Sequence, residues 1–443
     1  MLKTYFYKLL YRYLAIQILP EDTVVEILPS TDLLIREFPK GSVFFPSHNI
    51  PSCFSQSSKV DILDDMASLN HDYILINGQF HYERDIQAFL HALHAHCSAK
   101  TRVIITYYNN LWKPLMKLAT WLGIRSKQPE KNWIAHEDIR NMLLLEDFEP
   151  ISLKSCVLFP VWIPLLSAFF NRYIAPLPLF RHLTLINILI ARPLIHQAPE
   201  RERTPSVSVI VPARNEAGNI EQIVKRLPSL GPDDELIFVE GHSRDHTWET
   251  IQRVASEYGK TRRILTIQQD GVGKGDAVRK GFQIATNEIL MILDADLSVP
   301  PETLPRFYDA IVSGKGEFIN GSRLVYPMEK QAMRFFNLLG NKFFALAFSF
   351  VIGQRFKDTL CGTKVLSRSH YEKLAQHRSY FGDFDPFGDF DLIFGAARLG
   401  LKIVEIPITY HERTYGTTNI SRWRHGILLL KMLIFAARKL KFV

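Results

Sequence analysis

The chain has 443 residues, of which 47% are hydrophobic and 22% charged, and its net charge is +8. That balance excludes a disordered or fibrous chain and leaves room for about two or three domains with sizeable cores. The positive charge points to an anionic partner without choosing among nucleic acid, a membrane surface and a phosphorylated substrate. Cys53, Cys97, Cys156 and Cys361 stand far apart, in no metal-binding spacing, and read as reduced thiols. Lys3, Lys8 and Arg12 interrupt the apolar N-terminus, which makes a poor signal peptide. No uncharged apolar run reaches the roughly 18 residues needed to span a bilayer.

In the first half, Val24 to Leu28, Val43 to Phe45, Tyr73 to Ile76 and Arg102 to Thr106 read as strands, and Asp85 to His96 has helical spacing. Strands alternating with helices predict an α/β fold with a parallel sheet. The stretches DYILINGQFHYERDIQAFL, RVIITYYNNLW and KNWIAHEDIRNMLLLEDFEP resemble the class I S-adenosylmethionine-dependent methyltransferase fold. The resemblance implies a Rossmann-like, doubly wound domain over residues 1–195. A cofactor loop of that kind needs glycine, so that backbone can approach the ligand. Here Leu28-Pro29-Ser30-Thr31-Asp32 has none, Pro46-Ser47-His48 supplies no acid after the second strand, and Glu26 stands alone. The expectation is therefore a degenerate domain kept for structure or partner contact, without bound S-adenosylmethionine. Val157 to Ala191 is apolar, and Pro160, Pro164, Pro176 and Pro178 rule out one long helix. It is expected to pack as core rather than to stand out as a membrane-facing flap.

His196 to Pro205 (HQAPERERTP) is charged and proline-bearing and reads as a linker. Beyond it, Ser206 to Val211, Glu235 to Glu240, Ile264 to Gln268 and Ile289 to Leu293 read as strands, with a helix over Asn219 to Leu227. This order predicts a second doubly wound sheet of the nucleotide-binding kind. Asp294 and Asp296 follow the last of these strands, two residues apart and so on one face. Ligands of open α/β sheets sit beyond the carboxyl ends of the strands. Two acids so close need a cation, and Mg²⁺ or Mn²⁺ held by carboxylates completes its shell with substrate phosphates. GVGKGD is not a Walker loop, because Gly275 follows Lys274. It still brings a cation and open backbone toward a diphosphate, with Arg279 along the next helix.

Taken together, PARNE, FVEG, GKGDAVRKG, LDADLSVPPE, NGSR and DTLCGTK resemble family-2 glycosyltransferases of GT-A fold. Within that family they look most like polyprenyl-phosphate sugar transferases of the dolichol-phosphate mannose synthase type. The likeness covers about Ser206 to Val443, as a GT-A domain over 206–415 and a basic helix over 416–443. It implies that Pro212, Ala213, Arg214 and Glu216 line the base and ribose and that Glu240 contacts the nucleoside. Lys274, Asp276 and Arg279 would sit near the donor, and Asp294 and Asp296 would hold the metal on its diphosphate. Ser298 stands where the synthase group often has glutamine. Arg323 and Arg334 match basic residues that meet an acceptor phosphate.

The implied reaction is metal-dependent, inverting transfer of a sugar from a nucleotide-sugar to polyprenyl phosphate. A phosphate monoester, with a second pKa near about 6, is largely a dianion at neutral pH and attacks without a base. A hydroxyl acceptor would need one, and Asp389 and Asp391 of FGDFDPFGDFDLIF are the candidates. Transfer to a hydroxyl of a glycan or lipid, or an inert membrane-attached scaffold, are the competing readings.

From His411 to Val443 there are seven Lys or Arg and one acid, Glu412. SRWRHGILLLKMLIFAARKLKF reads as a basic amphipathic helix on an anionic membrane surface. That would make the protein peripheral, on the cytoplasmic face of the membrane. Phe343 to Gln354 is apolar but too short to span. No basic sheet face with stacking aromatics is visible, so nucleic acid is not an expected partner.

Overall fold

The computed structural model describes residues 2–45, 61–63, 65–123, 132–195, 204–325, 335–380, 390–411, 415 and 422–443. The chain divides into two compact units: residues 1–198 with 438–443, and residues 199–437. Most of the expected linker, 196–203, lies outside the described residues.

Unit 1 is built on a seven-stranded sheet of order β3-β2-β1-β4-β5-β7-β6. Its strands are β1 (Val24–Ile27), β2 (Gly41–Phe44), β3 (Asp61–Leu63), β4 (Tyr73–Asn77), β5 (Arg102–Tyr108), β6 (Phe148–Cys156) and β7 (Ile186–Pro193). β1 to β5 pair in parallel, whereas β7 runs antiparallel to both β5 and β6. The expected all-parallel sheet is thus corrected to a mixed one. β6 and β7 are neighbours in both chain and sheet, and such a pair closes without a crossover helix. Alternate residues feed two cores. Val24, Leu75, Ile104 and Ile188 pack on one face, Val25, Ile74, Val103 and Leu189 on the other.

The β6–β7 connection departs from expectation. It forms three short pieces: a helix, Leu166–Phe169, a wide turn, Phe170–Ile174, and a 3-10 turn, Arg181–Leu183. Trp162, Leu165, Phe169 and Leu179 point to solvent instead of packing as core. The prolines prevent a helix long enough to lay one face on the sheet.

Unit 2 carries β8 (Val207–Ala213), β9 (Glu235–Glu240), β10 (Arg263–Gln268), β11 (Ile289–Ile292), β12 (Phe318–Ser322), β13 (Lys364–Ser367) and β14 (Ile403–Pro407). The order is β10-β9-β8-β11-β13-β12-β14, with β13 alone reversed among these strands. This sheet too is mixed rather than parallel. Phe238, Met291, Phe307 and Val365 fill its core. Gly281 lets helix Lys274–Ile284 lie close on the sheet, where a Cβ would run into Ile210 and Val239. That close approach fixes the helix, and with it Lys274 at its first turn.

Helix Arg422–Leu440 exists as expected, but it buries Leu429, Met432, Leu433, Ala436 and Leu440, a stripe at helical spacing. Ile427, Leu430, Lys431, Ile434 and Arg438 stay exposed. Helix Phe335–Ile352 buries Phe348 and Val351 while Phe343 and Leu346 face solvent. Among the described residues no helix is long and apolar enough to cross a membrane.

Candidate active site

Three loops at the carboxyl ends of β8, β9 and β11 make the candidate site. Each contains a non-glycine residue in the left-handed region: Asn215 (φ 58°), His242 (φ 56°) and Leu297 (φ 56°). A bulky residue such as Leu297 rarely adopts that conformation. Strain of this kind persists only where the surroundings over-determine it, and it clusters at functional sites.

The first two loops are knitted together. The Asn215 amide donates to the Ser243 hydroxyl at 3.0 Å, and the Arg244 amide donates to the Asn215 side chain at 2.8 Å. The Gly241 amide reaches the Ala213 carbonyl at 2.8 Å. Glu216 is buried and accepts from Asn219 at 2.7 Å, while its own amide donates to Thr247. Glu240 is buried too, accepting from the Ser243 amide at 2.5 Å and from Gln268 at 2.9 Å. Burial opposes its ionisation, but these donors outweigh it and hold its pKa below the ordinary carboxylate value. Arg214 is exposed at the mouth, and Pro212 and Ala213 end β8.

The third loop carries the paired acids. Leu293 still bonds to β8, its amide 3.0 Å from the Ile210 carbonyl, so Asp294 and Asp296 leave directly from the strand end. Asp294 Oδ1 lies 2.6 Å from Lys274 Nζ. Burial works against its charge, yet Lys274, Lys364 and Arg323 outweigh burial and keep its pKa low. Asp296 is buried and accepts from the Ser298 amide at 3.0 Å. Asp276 turns back on its own loop, accepting from the Gly271 amide at 2.8 Å, and stands 3.8 Å from Arg279. Among the described residues no group of three His, Cys, Asp or Glu side chains gathers here. Asp294 and Asp296 are two carboxylates, a ligand type that suits Mg²⁺ or Mn²⁺.

Arg323 does not stand free. Its Nε and Nη2 form a fork on the buried Asp358 at 2.7 and 2.8 Å. Arg334 and Asp389 lie outside the described residues. Asp391 begins helix Phe390–Arg398 and pairs with Arg378 at 3.1 Å. It lines one cavity together with Arg279, Tyr371 and Arg398.

Three residues acquire roles only in the structure, all from the DTLCGTK segment. Asp358 neutralises Arg323. Gly362 is packed so tightly that a Cβ would overlap both the Asp294 carboxylate and the Lys274 ammonium. Lys364 is fully buried, donates to the Cys361 carbonyl, and adds positive potential at Asp294. The motif was visible in the sequence; which acid each residue serves was not.

Residues 208–375 match the family model for Glycosyl transferase family 2. The Dolichol-phosphate mannosyltransferase of Pyrococcus furiosus is 29% identical over 220 residues, which is 48% of this chain and 59% of that protein. The Undecaprenyl-phosphate 4-deoxy-4-formamido-L-arabinose transferase of Edwardsiella ictaluri is 26% identical, with 52% of this chain and 66% of that protein covered. The chain thus spans less than two thirds of the length of either relative. Among solved structures, glucosyl-3-phosphoglycerate synthase from Mycobacterium tuberculosis aligns with 53% of this chain and 80% of its own, at 19% identity and a TM-score of 0.39. Within unit 2, residues 208–375 are thus similar to glycosyltransferase family 2.

Proposed function

We propose that unit 2 transfers a sugar, with inversion, from a nucleotide-sugar to a polyprenyl phosphate at the cytoplasmic membrane surface. The observation that carries this is the pair Asp294 and Asp296 at the end of β11, the first of them held ionised by Lys274, Lys364 and Arg323. The relatives named for dolichol phosphate and undecaprenyl phosphate support the acceptor class.

Breaking a sugar–diphosphate bond leaves negative charge on the departing nucleotide. Mg²⁺ or Mn²⁺ held by Asp294 and Asp296 would supply Lewis-acid stabilisation of that charge. Lys274 and Arg279 add preorganised positive charge from the chain itself. Glu240, ionised and fixed by Ser243 and Gln268, offers an acceptor oriented for a nucleoside donor group. Pro212, Ala213, Arg214 and Glu216 form the adjoining wall.

The acceptor class rests on those relatives. Asp391 is engaged by Arg378 at 3.1 Å, and a phosphate dianion, unlike a hydroxyl, needs no general base. Unit 1, with the doubly wound core order 3-2-1-4-5, is read as a Rossmann-like partner domain without S-adenosylmethionine.

The test is product formation across a panel of UDP- and GDP-sugars with Mg²⁺ or Mn²⁺, with and without short-chain polyprenyl phosphate. A lipid-linked sugar is expected from one donor, and Asp294→Asn is expected to lower its rate by about 10²–10³-fold. Donor turnover with no lipid product would move the acceptor to a hydroxyl. No donor binding at all would leave a scaffold.

A further inference from the structure

The β6–β7 connection of unit 1 is inside-out. Two of its polar residues turn inward: Ser167 and Asn171 are 1% and 2% exposed. Ser167 accepts from the Ile163 amide and donates to the Val161 carbonyl, each at 2.6 Å. Asn171 bonds the amide and the carbonyl of Phe159, each at 2.8 Å. Several large apolar residues turn outward, with Leu165 89%, Leu179 79% and Trp162 54% exposed, while Val157, Ala175 and Leu185 are buried. The backbone is thus held by its own buried polar groups while large apolar side chains are presented to the outside. A core-forming segment would do the reverse.

A second segment joins the same face. Asn109 Nδ2 donates to the His182 carbonyl at 2.7 Å, and Trp112 Nε1 to the Leu183 carbonyl at 2.8 Å. The helix that starts beside them, Lys113–Trp121, exposes Leu115 and, at 80%, Trp121. Lys117, Arg172 and Arg181 are exposed among these apolar residues. No Asp or Glu occurs from Ile86 to Pro129 or from Pro150 to Pro199. Tryptophan, aliphatic bulk and cations without acids are the composition that lies in the headgroup region of an anionic leaflet. A second copy of the chain would bring the same cations face to face, which like-charge repulsion opposes.

We propose that this face of unit 1 is a membrane-docking surface, seating Trp162, Leu165, Phe169 and Leu179 in an anionic bilayer. The proposal is independent of the transferase reading of unit 2 and of the C-terminal helix. Its test is flotation of the full-length protein with phosphatidylglycerol-containing vesicles and with phosphatidylcholine vesicles. Binding is expected to be stronger to the anionic vesicles. The double variant Leu165→Ser with Leu179→Ser is expected to weaken binding at least about tenfold, with its melting temperature and its turnover of water-soluble donor unchanged. Brominated lipid is expected to quench tryptophan fluorescence, and that quenching is expected to fall in Trp162→Phe. Equal flotation of the double variant and the wild type would overturn the proposal. So would loss of binding only in Ile427→Ser with Ile434→Ser, or a lipid-free dimer that Leu165→Ser with Leu179→Ser dissociates. A protein that floats as expected but turns over no donor would refute the transferase reading alone.

Discussion

Both units place an acid at the carboxyl end of a parallel strand and follow it with a leucine in the left-handed region: Glu26 then Leu28 in unit 1, Asp294 then Leu297 in unit 2. Their surroundings are opposite. Glu26 is buried, accepts from Asn77 at 3.0 Å, and keeps its second oxygen without a partner. Burial pushes its pKa up to about 8, against the pull of Asn77 and with help from Asp32. Asp294 is also opposed by burial, but Lys274, Lys364 and Arg323 reverse the outcome and keep it charged. An acid at a strand end becomes a candidate metal ligand only where the fold balances its charge. Unit 1 has the position without that balance.

The largest effect expected from disturbing this contrast is on the cations of unit 2. Asp358→Asn would leave the Arg323 guanidinium buried beside Cys361 with no counter-charge, destabilising unit 2 by about 3–5 kcal/mol. Denaturant unfolding followed through unit 2 measures it, and a loss below about 1 kcal/mol would show that the pair contributes little. Gly362→Ala acts on geometry. The new Cβ must displace Asp294 or Lys274, and a displacement near 1 Å costs roughly 10²-fold in turnover. The expected result is that loss with little change in unfolding; unchanged turnover would separate Gly362 from the site.

The smallest effect concerns Glu26 and carries a definite sign. Its folded pKa lies above the ordinary 4.5, so its contribution to stability is fully present below that value and is lost as pH rises toward about 8. Unit 1 should therefore melt lower at pH 8.5 than at pH 5, and Glu26→Gln should flatten that dependence. At pH 8.5 the variant is expected to melt roughly 5 °C above the wild type. A pH dependence identical in both proteins would mean that Glu26 stays neutral throughout or is solvated.

Much of the site was legible because it is local. Asp294 and Asp296 are two residues apart at the end of an apolar strand, and Lys274 opens the next helix back; spacing alone places them on strand and helix ends. The partner choices were not legible, because they are made across long separations. Arg323 meets Asp358, and Gly362 meets Asp294, through contacts that no periodicity encodes. The mixed sheets were missed for a related reason. β7 has the same apolar, β-branched character as its neighbour β5, β13 is not among the expected strands at all, and direction is not written in composition.

Within the apolar stretch Val157 to Ala191, the β7 residues Ile188 to Ala191 pack as core as expected, but the connection before them shows where pattern reading fails. Hydrophobicity counts residues and cannot tell inward from outward without a helical or strand period, and four prolines erased the period. By itself, then, the sequence determined two α/β units, eight of the fourteen strands among the described residues, and the acids and cations at the strand ends, since these follow from short-range spacing and side-chain chemistry. Tertiary structure alone decided which acid is neutral and which is charged, and which apolar surface is left bare. Burial and long-range charge pairing set a carboxylate's state, and both exist only once the chain has folded.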